Sequence, residues 1–487
     1  MQPTLELLSP EMVGKILDEA LHLLREPGIK VQSADARNLF QAGGAAVDSE
    51  REVVHIPEAV VHRALQTVPR EFWLHTRDGK PVVRYGGHAV HFDPGSSGIN
   101  ILDADSGEHR PALTPDLVRL IQVAEMLPAY DAQSTAVVCH DVPQAVGDLY
   151  RLYLVLLFSN KPIVTGAFAT ATTQPMIDML TLYRDGPEDL ARRPLAVFDV
   201  CPTPPLIWSQ FAAQSLMDLA RARVPAQLVS MPLAGAGAPV TLLGSVVQQA
   251  AESLSGIVLH QLAGPGSPIV WGGAPAIFDM RHGTTPMGAV ETAMIDVAYA
   301  QVAKSLGLPT HTYLGASDAK VNDAQAGMES GITALLGALG GINMISGAGM
   351  LDFLACQSAE KLVIDAEAIG MARRLLEGLQ VRTHPLAVDM FRGIDFKADF
   401  MKQKVTRQLF AIEQHLPSPV VDRHSARAWL EGGRSDASHR AQAQAQALVR
   451  DYRRPAAAGE VERELQARVA LLARRAGMDR LPALDLS

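Results

Sequence analysis

The stretch that decides the fold is residues 309–349, "PTHTYLGASDAKVNDAQAGMESGITALLGALGGINMISGAG". Two short apolar segments, 309–316 and 341–349, flank a helical segment that starts near Asp323 and ends at the Gly340–Gly341 pair. Both flanking segments are apolar along nearly their whole length, as strands buried on both faces of a parallel sheet are. The sequence therefore predicts a strand, a helix and a second parallel strand.

A dense group of polar residues follows the first of these strands. It contains Ser317, Asp318, Lys320, Asn322, Asp323 and Gln325. Asn322 and Gln325 are three residues apart, which predicts a capping pair, and Asp323 favours the positive end of the helix. The alternative is the rim of an active site, and Asp318 is the residue we assign to that rim first.

The same kind of apolar segment recurs along the chain at the spacing of βα units. The predicted strands are 132–140, 162–169, 194–201, 225–233, 267–274, 309–316 and 341–349, with an eighth expected in 95–102 or after residue 376. So many consecutive units favour an α/β fold of the (β/α)8, or TIM-barrel, type over a doubly wound sheet. "AGAGAPVTLLG" (234–244) lacks the glycine spacing of a dinucleotide site and predicts a tight turn.

The two ends of the chain differ from this repeat. Residues 1–120 begin with amphipathic helix and continue into two predicted hairpins, 72–87 and 98–113, while the tail is rich in Arg, Ala and Gln and predicts surface helices. We therefore predict an N-terminal helical and β-hairpin extension (1–120), a barrel core (121–376) and a C-terminal helical extension (377–487). Helical flanks of this size also predict a homo-oligomer.

Composition narrows the class of protein. The formal net charge of −9 argues against nucleic-acid binding, which favours a basic face. Cys139, Cys201 and Cys356 are far apart and show no metal-binding spacing, so we predict no metal site and a reducing compartment. The apolar runs 253–278 and 330–351 contain glycine breaks, which predict a helix end, a turn and a strand rather than a membrane span. The first residues show no secretory signal pattern, so a cytoplasmic location is expected.

Several long motifs carry a resemblance to a known family. They are "PVTLLGSVVQQAAESLSGIVLHQLAGPGSPIVWGG" (239–273), "SDAKVNDAQAGMESGITALLGALGGINMI" (317–345), "GAGMLDF" (347–353) and "SAEKLVIDAEAIGMARR" (358–374). With them the chain resembles the trimethylamine methyltransferase family. The resemblance implies a (β/α)8 barrel that moves a methyl group from an N-methylated amine to the cobalt of a separate corrinoid protein, with no cofactor bound tightly by this chain.

The resemblance also narrows the substrate. Founding archaeal members of the family carry pyrrolysine, whereas this chain has only standard residues. It is therefore similar to the relatives without pyrrolysine, whose assigned substrates are quaternary amines such as glycine betaine, proline betaine and carnitine. A quaternary amine arrives already activated and leaves as a neutral amine, so no protein nucleophile and no zinc are required.

A site for such a substrate is expected at the carboxyl ends of the strands. Aromatic faces and carboxylates suit the cation, and Arg, His or a helix N-terminus suits the carboxylate of a betaine. The predicted catalytic residues are Tyr313, Asp318 and Lys320; the predicted substrate-binding residues are Phe168, Phe198, Asp199, Trp208, Trp271, Arg281 and His282. Core packing is the alternative for the aromatic residues. An ion pair with Asp279 or Glu291 is the alternative for Arg281.

Two other functions remain open from the sequence. A lysine at a strand end, Lys320 or Lys161, forms a Schiff base in some barrel enzymes. A non-catalytic amine-binding protein is the second alternative. Fold alone does not decide between these chemistries.

Overall fold

The computed structural model describes residues 2–394, 396, 400–456 and 459–484. The first elements are α1 (Pro10–Arg25), β1 (Ile29–Val31), α2 (Ala34–Ala42), β2 (Ala46–Asp48), β3 (Val53–His55), α3 (Glu58–Thr67), β4 (Phe72–His75) and β5 (Pro81–Tyr85). The Ser9 side chain caps α1 by accepting from the Met12 N–H. Apolar residues at helical spacing along α1, from Val13 to Leu24, face the core.

Strands and helices then alternate. The strands are β6 (His91–Pro94), β7 (Asn100–Leu102), β8 (His109–Pro111), β9 (Gln133–Ser134), β10 (Ile163–Thr165), β11 (Ala196–Val200), β12 (Ile207–Trp208), β13 (Ala226–Leu228), β14 (Leu233–Ala234), β15 (Ile269–Val270), β16 (Ala276–Ile277), β17 (His311–Thr312), β18 (Met344–Ala348), β19 (Met350–Leu351) and β20 (Cys356–Gln357). The helices are α4 (Thr114–Met126), α5 (Gly147–Phe158), α6 (Thr170–Thr181), α7 (Pro187–Arg192), α8 (Gln210–Ala222), α9 (Leu242–Ala263), α10 (Val290–Ser305), α11 (Ala324–Leu339) and α12 (Ala359–Leu376). The C-terminal helices are α13 (Lys404–Glu413), α14 (Ala426–Glu431), α15 (Ala437–Asp451) and α16 (Gly459–Arg475), and 3₁₀ turns lie at Gln144–Val146, Val388–Phe391 and Phe400–Lys402.

Parallel pairing connects the strands of the repeat. β9, β10, β11, β13 and β15 are neighbours in one sheet, and β17, β18 and β6 are neighbours in another. The Trp271 N–H donates to the Pro309 carbonyl over 2.9 Å, which joins β15 to β17. The Gly98 N–H donates to the Ala136 carbonyl over 3.0 Å, which joins the end of β6 to the end of β9. The strand order therefore returns to its start, as expected of a (β/α)8 barrel.

All of the predicted parallel strands form, but the eighth is not where it was expected. It is β6, which ends just before the predicted segment 95–102. Segment 95–102 instead contains β7, which pairs with β8 as the predicted second hairpin. β6 was missed because it has only four residues and contains a carboxylate, Asp93, that is fully buried. β6 also lies within residues 1–120, so the division at 120 and 376 stays a prediction.

The hairpin of β4 and β5 covers the amino ends of the barrel strands. Leu74, Val83 and Tyr85 pack in one cluster with apolar residues of the strand starts, including Val197 and Val270. The Asp78–Gly79 turn predicted from the sequence connects the two strands, with Gly79 at a φ of 87° that favours glycine. Because this end is filled, the open end of the barrel is the carboxyl end.

One helix is long and apolar enough to be considered as a membrane span. This helix, α9, is the only such candidate in the described part of the chain, and 83% of its most apolar window is buried within the fold. It packs against α1, α3, α8 and α10. Its apolar character is therefore explained by burial inside the protein.

Candidate active site

A cavity of about 440 Å³ lies at the carboxyl ends of the strands. Its walls are mostly apolar and include the rings of Phe168, Phe198, Phe211 and Tyr313. The polar groups that line it include Ser96, Ser97, Asp199, Cys201 and Thr203. Most of these residues lie at the end of β11 or in the segments that follow β6, β10, β11 and β17, and Phe211 lies in α8. The cavity is therefore where the barrel architecture places an active site.

Asp199 and Tyr313 form the polar centre of this cavity. The Tyr313 hydroxyl donates to Asp199 Oδ2 over 2.7 Å, and Ser96 Oγ lies 2.7 Å from the same hydroxyl. Burial raises the pKa of Tyr313 well above its usual value, and the neighbouring Asp199 carboxylate raises it further. The phenol therefore keeps its proton and acts as a hydrogen-bond donor.

A second hydrogen bond, from Gln227, holds the other oxygen of the Asp199 carboxylate. Gln227 Nε2 donates to Asp199 Oδ1 over 2.7 Å, and the Tyr85 hydroxyl donates to Gln227 Oε1 over 3.0 Å. A chain of side chains thus runs from the hairpin at the closed end to the cavity. Burial raises the pKa of Asp199 to about 6, while the bonds from Tyr313 and Gln227 lower it. At neutral pH the carboxylate is mainly ionised.

Arg151, on α5, lies behind one wall of the cavity. It is fully buried and donates from Nη1 to Ser97 Oγ over 3.1 Å and to the Thr135 carbonyl over 2.9 Å. The Phe168 ring covers the guanidinium, with its centroid 4.4 Å from Cζ. Burial lowers the pKa of Arg151 to about 10, so the side chain stays charged at neutral pH.

A further polar cluster lies inside the barrel. Ser346 Oγ donates to Asp93 Oδ1 over 2.5 Å and lies 3.0 Å from His311 Nε2. Burial raises the pKa of Asp93 well above its usual value and lowers that of His311 to about 3. His311 is therefore neutral at pH 7, and for Asp93 the shift favours the neutral carboxylic acid. His311 also contacts the Tyr313 ring edge-on, with the ring centroids 5.1 Å apart.

Four of the residues predicted from the sequence meet at the cavity: Tyr313, Asp199, Phe168 and Phe198. The two predicted tryptophans do not line it. Trp271 is buried and donates to Gln249 Oε1 over 2.9 Å, and Trp208 is buried and donates to Ser255 Oγ over 2.8 Å. Both tryptophans take the core positions that were the alternative for them.

Arg281 and His282 also lie away from the cavity. Arg281 is largely exposed and forms a two-pronged ion pair with Asp279, with Nη2 to Oδ2 at 2.7 Å and Nε to Oδ1 at 3.0 Å. His282 Nδ1 lies 3.1 Å from the same carboxylate. This is the structural ion pair that was the alternative for Arg281.

The polar group that follows β17 mainly holds loops together. Asp318 accepts from the N–H groups of Met287 and Gly288, over 2.8 and 3.0 Å, and burial raises its pKa to about 6. Lys320 is exposed; its Nζ donates to the Asp318 carbonyl over 2.7 Å and lies 3.8 Å from the Phe353 ring centroid. Neither side chain lines the cavity.

The predicted capping pair is wrong by one residue. Asp323 itself caps α11 by accepting from the Ala326 N–H over 3.1 Å. Asn322 donates to Ser358 Oγ and Gln325 donates to Glu329, so neither satisfies the helix end. A single carboxylate at the N-cap position provides the acceptor that the pair was expected to supply.

Sequence reasoning missed Ser96, Ser97, Gln227 and Arg151. Arg151 is the one charged residue in the apolar run "LYRLYLVLLF" (149–158), which is a signal that could have been used. Gln227 is likewise polar within a buried strand. Among the described residues no group of three or more His, Cys, Asp or Glu has the arrangement of a metal site.

The chain is similar to known proteins over most of its length. The family described as trimethylamine methyltransferase (MTTB) matches residues 1–478. The trimethylamine methyltransferase MttB of Methanosarcina thermophila is 34% identical over 437 residues, which cover 89% of this chain and 90% of that protein. The glycine betaine methyltransferase of Desulfitobacterium hafniense strain Y51 is 28% identical over 478 residues, which cover 98% of each.

A solved structure shares the fold. The monomethylamine methyltransferase MtmB of Methanosarcina barkeri matches with a TM-score of 0.54 and 11% identity, covering 90% of this chain and 88% of that one. At this identity the likeness concerns the fold only. The matches in sequence carry the assignment of function: this chain belongs to the trimethylamine methyltransferase family and is an amine methyltransferase.

Proposed function

We propose that this protein transfers a methyl group from a quaternary, betaine-like amine to the Co(I) centre of a corrinoid carried by a partner protein. The observation that carries the proposal is the Asp199–Tyr313 pair, which presents one carboxylate in an otherwise mostly apolar, aromatic-walled cavity. A permanent cation is stabilised by aromatic faces and by a nearby carboxylate.

The proposed reaction needs little from the protein beyond binding and orientation. The bond between the methyl carbon and nitrogen breaks, and its electron pair stays on nitrogen, which leaves as a neutral tertiary amine. The corrinoid is a co-substrate that supplies the cobalt atom to which the methyl carbon becomes bonded. No proton is transferred, so a general acid is not required. The expected contribution of this chain is to hold the methyl group in line and to exclude water.

Particular residues suit these tasks. Asp199 is held on both oxygens, by Tyr313 and by Gln227, so its position is fixed before the substrate binds. Phe198 and Phe211 supply apolar wall in the same cavity. A substrate cation beside Asp199 would favour the ionised carboxylate and lower its pKa from the value of about 6.

The preference for a quaternary amine rests on two observations. The chain has only standard residues, and a quaternary amine needs no additional activation. A relative that is 28% identical over nearly the whole length is named a glycine betaine methyltransferase. Which betaine fits depends on the far end of the cavity.

The geometry gives little support to a Schiff-base enzyme. Lys320 is exposed and lies outside the cavity. Lys161 precedes β10 at the closed end of the barrel, where its Nζ donates to the carbonyls of Ala124 and Leu127 over 2.7 and 2.9 Å. A non-catalytic amine-binding protein differs from our proposal only in turnover, so the experiment below decides between them.

The corrinoid protein is expected to approach the carboxyl end of the barrel, where the cavity lies. Homo-oligomer formation and a cytoplasmic location stay predictions from the sequence. Mass photometry of the purified chain measures the first, and fractionation of the source cells measures the second.

The experiment that tests the proposal is spectroscopic. Free cobalamin is reduced to Co(I), and the protein is added with one amine at a time, including glycine betaine, carnitine and trimethylamine. Formation of methylcobalamin with a quaternary amine is the expected result. Absence of methylation with every amine, after the corrinoid protein of the source organism is also supplied, would reject the proposal and favour an amine-binding role.

A further inference from the structure

Arg151 is a buried cation for which the described residues provide only uncharged hydrogen-bond partners. Its side chain is fully buried, and its donors reach Ser97 Oγ and the Thr135 carbonyl. Nε and Nη2 are buried without a hydrogen-bond partner in the part of the chain that the structure describes. A buried charge with unsatisfied donors lowers stability unless something pairs with it.

The surroundings of Arg151 point towards the cavity. Ser97, which accepts from Nη1, and Phe168, which covers the guanidinium, both line the cavity. The charge of Asp148 favours the ionised form of Arg151, but the hydrogen bonds that its Oδ2 accepts come from the Phe168 N–H, over 2.6 Å, and from Thr172. Asp148 therefore holds the loop that carries Phe168 and leaves the Nε and Nη2 donors of Arg151 unpaired among the described residues.

The cavity thus has an acidic group and a basic group. Asp199 presents a carboxylate, and Arg151, behind Phe168 and Ser97, presents a guanidinium with free donors. A zwitterion with a quaternary ammonium group and a carboxylate would pair with both. Arginine is well suited to the second contact because its planar group binds a carboxylate through two parallel hydrogen bonds.

We propose that Arg151 is the carboxylate-binding residue of the substrate site, and that the Phe168 side chain covers it until a carboxylated quaternary amine displaces the ring. Nε and Nη2 donate to the two carboxylate oxygens, and Ser97 keeps Nη1 in place. This inference rests on the proposed function and makes it more specific: the substrate class is amines that carry both charges, and Arg151 selects for the carboxylate. It replaces Arg281 in the role that the sequence suggested for that residue.

The test uses two ligands that share a trimethylammonium group. Glycine betaine carries a carboxylate where choline carries a hydroxyl. Binding of each to the full chain is measured by titration calorimetry, and methyl transfer to Co(I) cobalamin is measured alongside. We expect wild type to prefer glycine betaine, and Arg151→Met to weaken glycine betaine binding ~10- to 100-fold, the range for a lost hydrogen bond to a charged group. Choline binding should change little.

Two further measurements separate this role from a structural one. Thermal unfolding of Arg151→Met should occur at or above the wild-type temperature, because the variant removes an uncompensated buried charge. Arg151→Lys keeps a cation but loses the two parallel hydrogen bonds of the guanidinium group. It should therefore weaken glycine betaine binding partially and leave choline binding unchanged. If Arg151→Met does not fold, the comparison of glycine betaine and choline binding by Arg151→Lys tests the inference on its own.

Each outcome has a distinct meaning. Equal losses for glycine betaine and choline in the Arg151 variants would overturn the inference and assign Arg151 to the fold. Turnover by wild type with choline or tetramethylammonium but not glycine betaine would also overturn it, while leaving the methyltransferase proposal in place. Absence of turnover with every amine would reject the proposed function itself, and the inference with it.

Discussion

The hydroxyl of Tyr313 donates a hydrogen bond of 2.7 Å to Oδ2 of Asp199 across 114 residues of sequence. This bond favours the ionised carboxylate, in opposition to burial, which raises the pKa of Asp199 to about 6. Activity that requires the ionised form should therefore fall as the pH falls through about 6. Removing this bond therefore tests whether the ionisation of Asp199 controls activity.

Tyr313→Phe removes the donor and should raise the pKa of Asp199. A hydrogen bond to a charged group contributes about 1.5–3 kcal/mol, which corresponds to about one to two pH units. The acidic limb of the pH–rate profile should move upward by that amount. The matched control is Tyr130→Phe, which removes a buried hydroxyl that donates to the Leu362 carbonyl away from the cavity. If the acidic limb of the pH–rate profile does not move in Tyr313→Phe, the ionisation of Asp199 does not control the reaction.

Asp199 and Asp93 allow a second comparison, between two carboxyl groups inside one barrel. Burial raises the pKa of Asp93 well above its usual value, which favours the neutral carboxylic acid. Asp93→Asn mimics that neutral form and keeps an acceptor for Ser346, whereas Asp199→Asn removes a negative charge from the cavity. We expect a loss of quaternary amine affinity of about tenfold or more for Asp199→Asn only. Titration with glycine betaine measures it; equal losses in the two variants would contradict the assignment.

Local sequence patterns were sufficient to predict most of the secondary structure and the order of its elements. Seven strands, the two hairpins and the helices α15 and α16 were predicted because each depends on the periodicity of a short window. The short strand β6 was missed because Asp93 breaks its apolar run. The buried Asp93 carboxyl group is satisfied by a hydrogen bond from Ser346, which is 253 residues away in sequence.

The site was harder to predict, because its residues meet only in three dimensions. Asp199 and Tyr313 were found because each ends an apolar strand. Arg281 was chosen because its segment follows a strand, where a barrel places its active site, and Arg151 was missed because it lies within an apolar helix. In the structure Arg281 pairs with Asp279 at the surface, whereas Arg151 lies beside the cavity.

Lys320 gives a prediction that separates methyl transfer from Schiff-base chemistry. Its Nζ lies at the surface, 3.5 Å from Asp352 Oδ1 and above the Phe353 ring. Lys320→Met should keep methyl transfer within about twofold, because surface substitutions usually change free energies by less than about 0.5 kcal/mol. Methylcobalamin formation measures this. Covalent trapping of a carbonyl compound on Lys320 by borohydride, together with loss of activity, would favour the Schiff-base enzyme instead.

The last prediction concerns the buried ion pair of Lys361 and Asp365 in α12. Lys361 Nζ lies 2.7 Å from Asp365 Oδ2 and donates to Ser330 Oγ over 2.6 Å, and both charged side chains are almost fully buried. Lys361→Met leaves a buried carboxylate unpaired and should destabilise the fold by about 3–5 kcal/mol. Guanidinium unfolding followed by tryptophan fluorescence measures the shift in midpoint.

A double variant shows whether the charge or the packing is responsible. Lys361→Met with Asp365→Asn removes both charges and keeps an acceptor for the Gly349 N–H, so it should recover most of the lost stability. The control is Lys15→Met, which breaks the exposed pair of Lys15 and Glu11 at the same spacing and should cost less than about 1 kcal/mol. If the double variant is as unstable as Lys361→Met, the lost stability belongs to the packing of the lysine side chain. The ion pair would then have no stabilising role of its own.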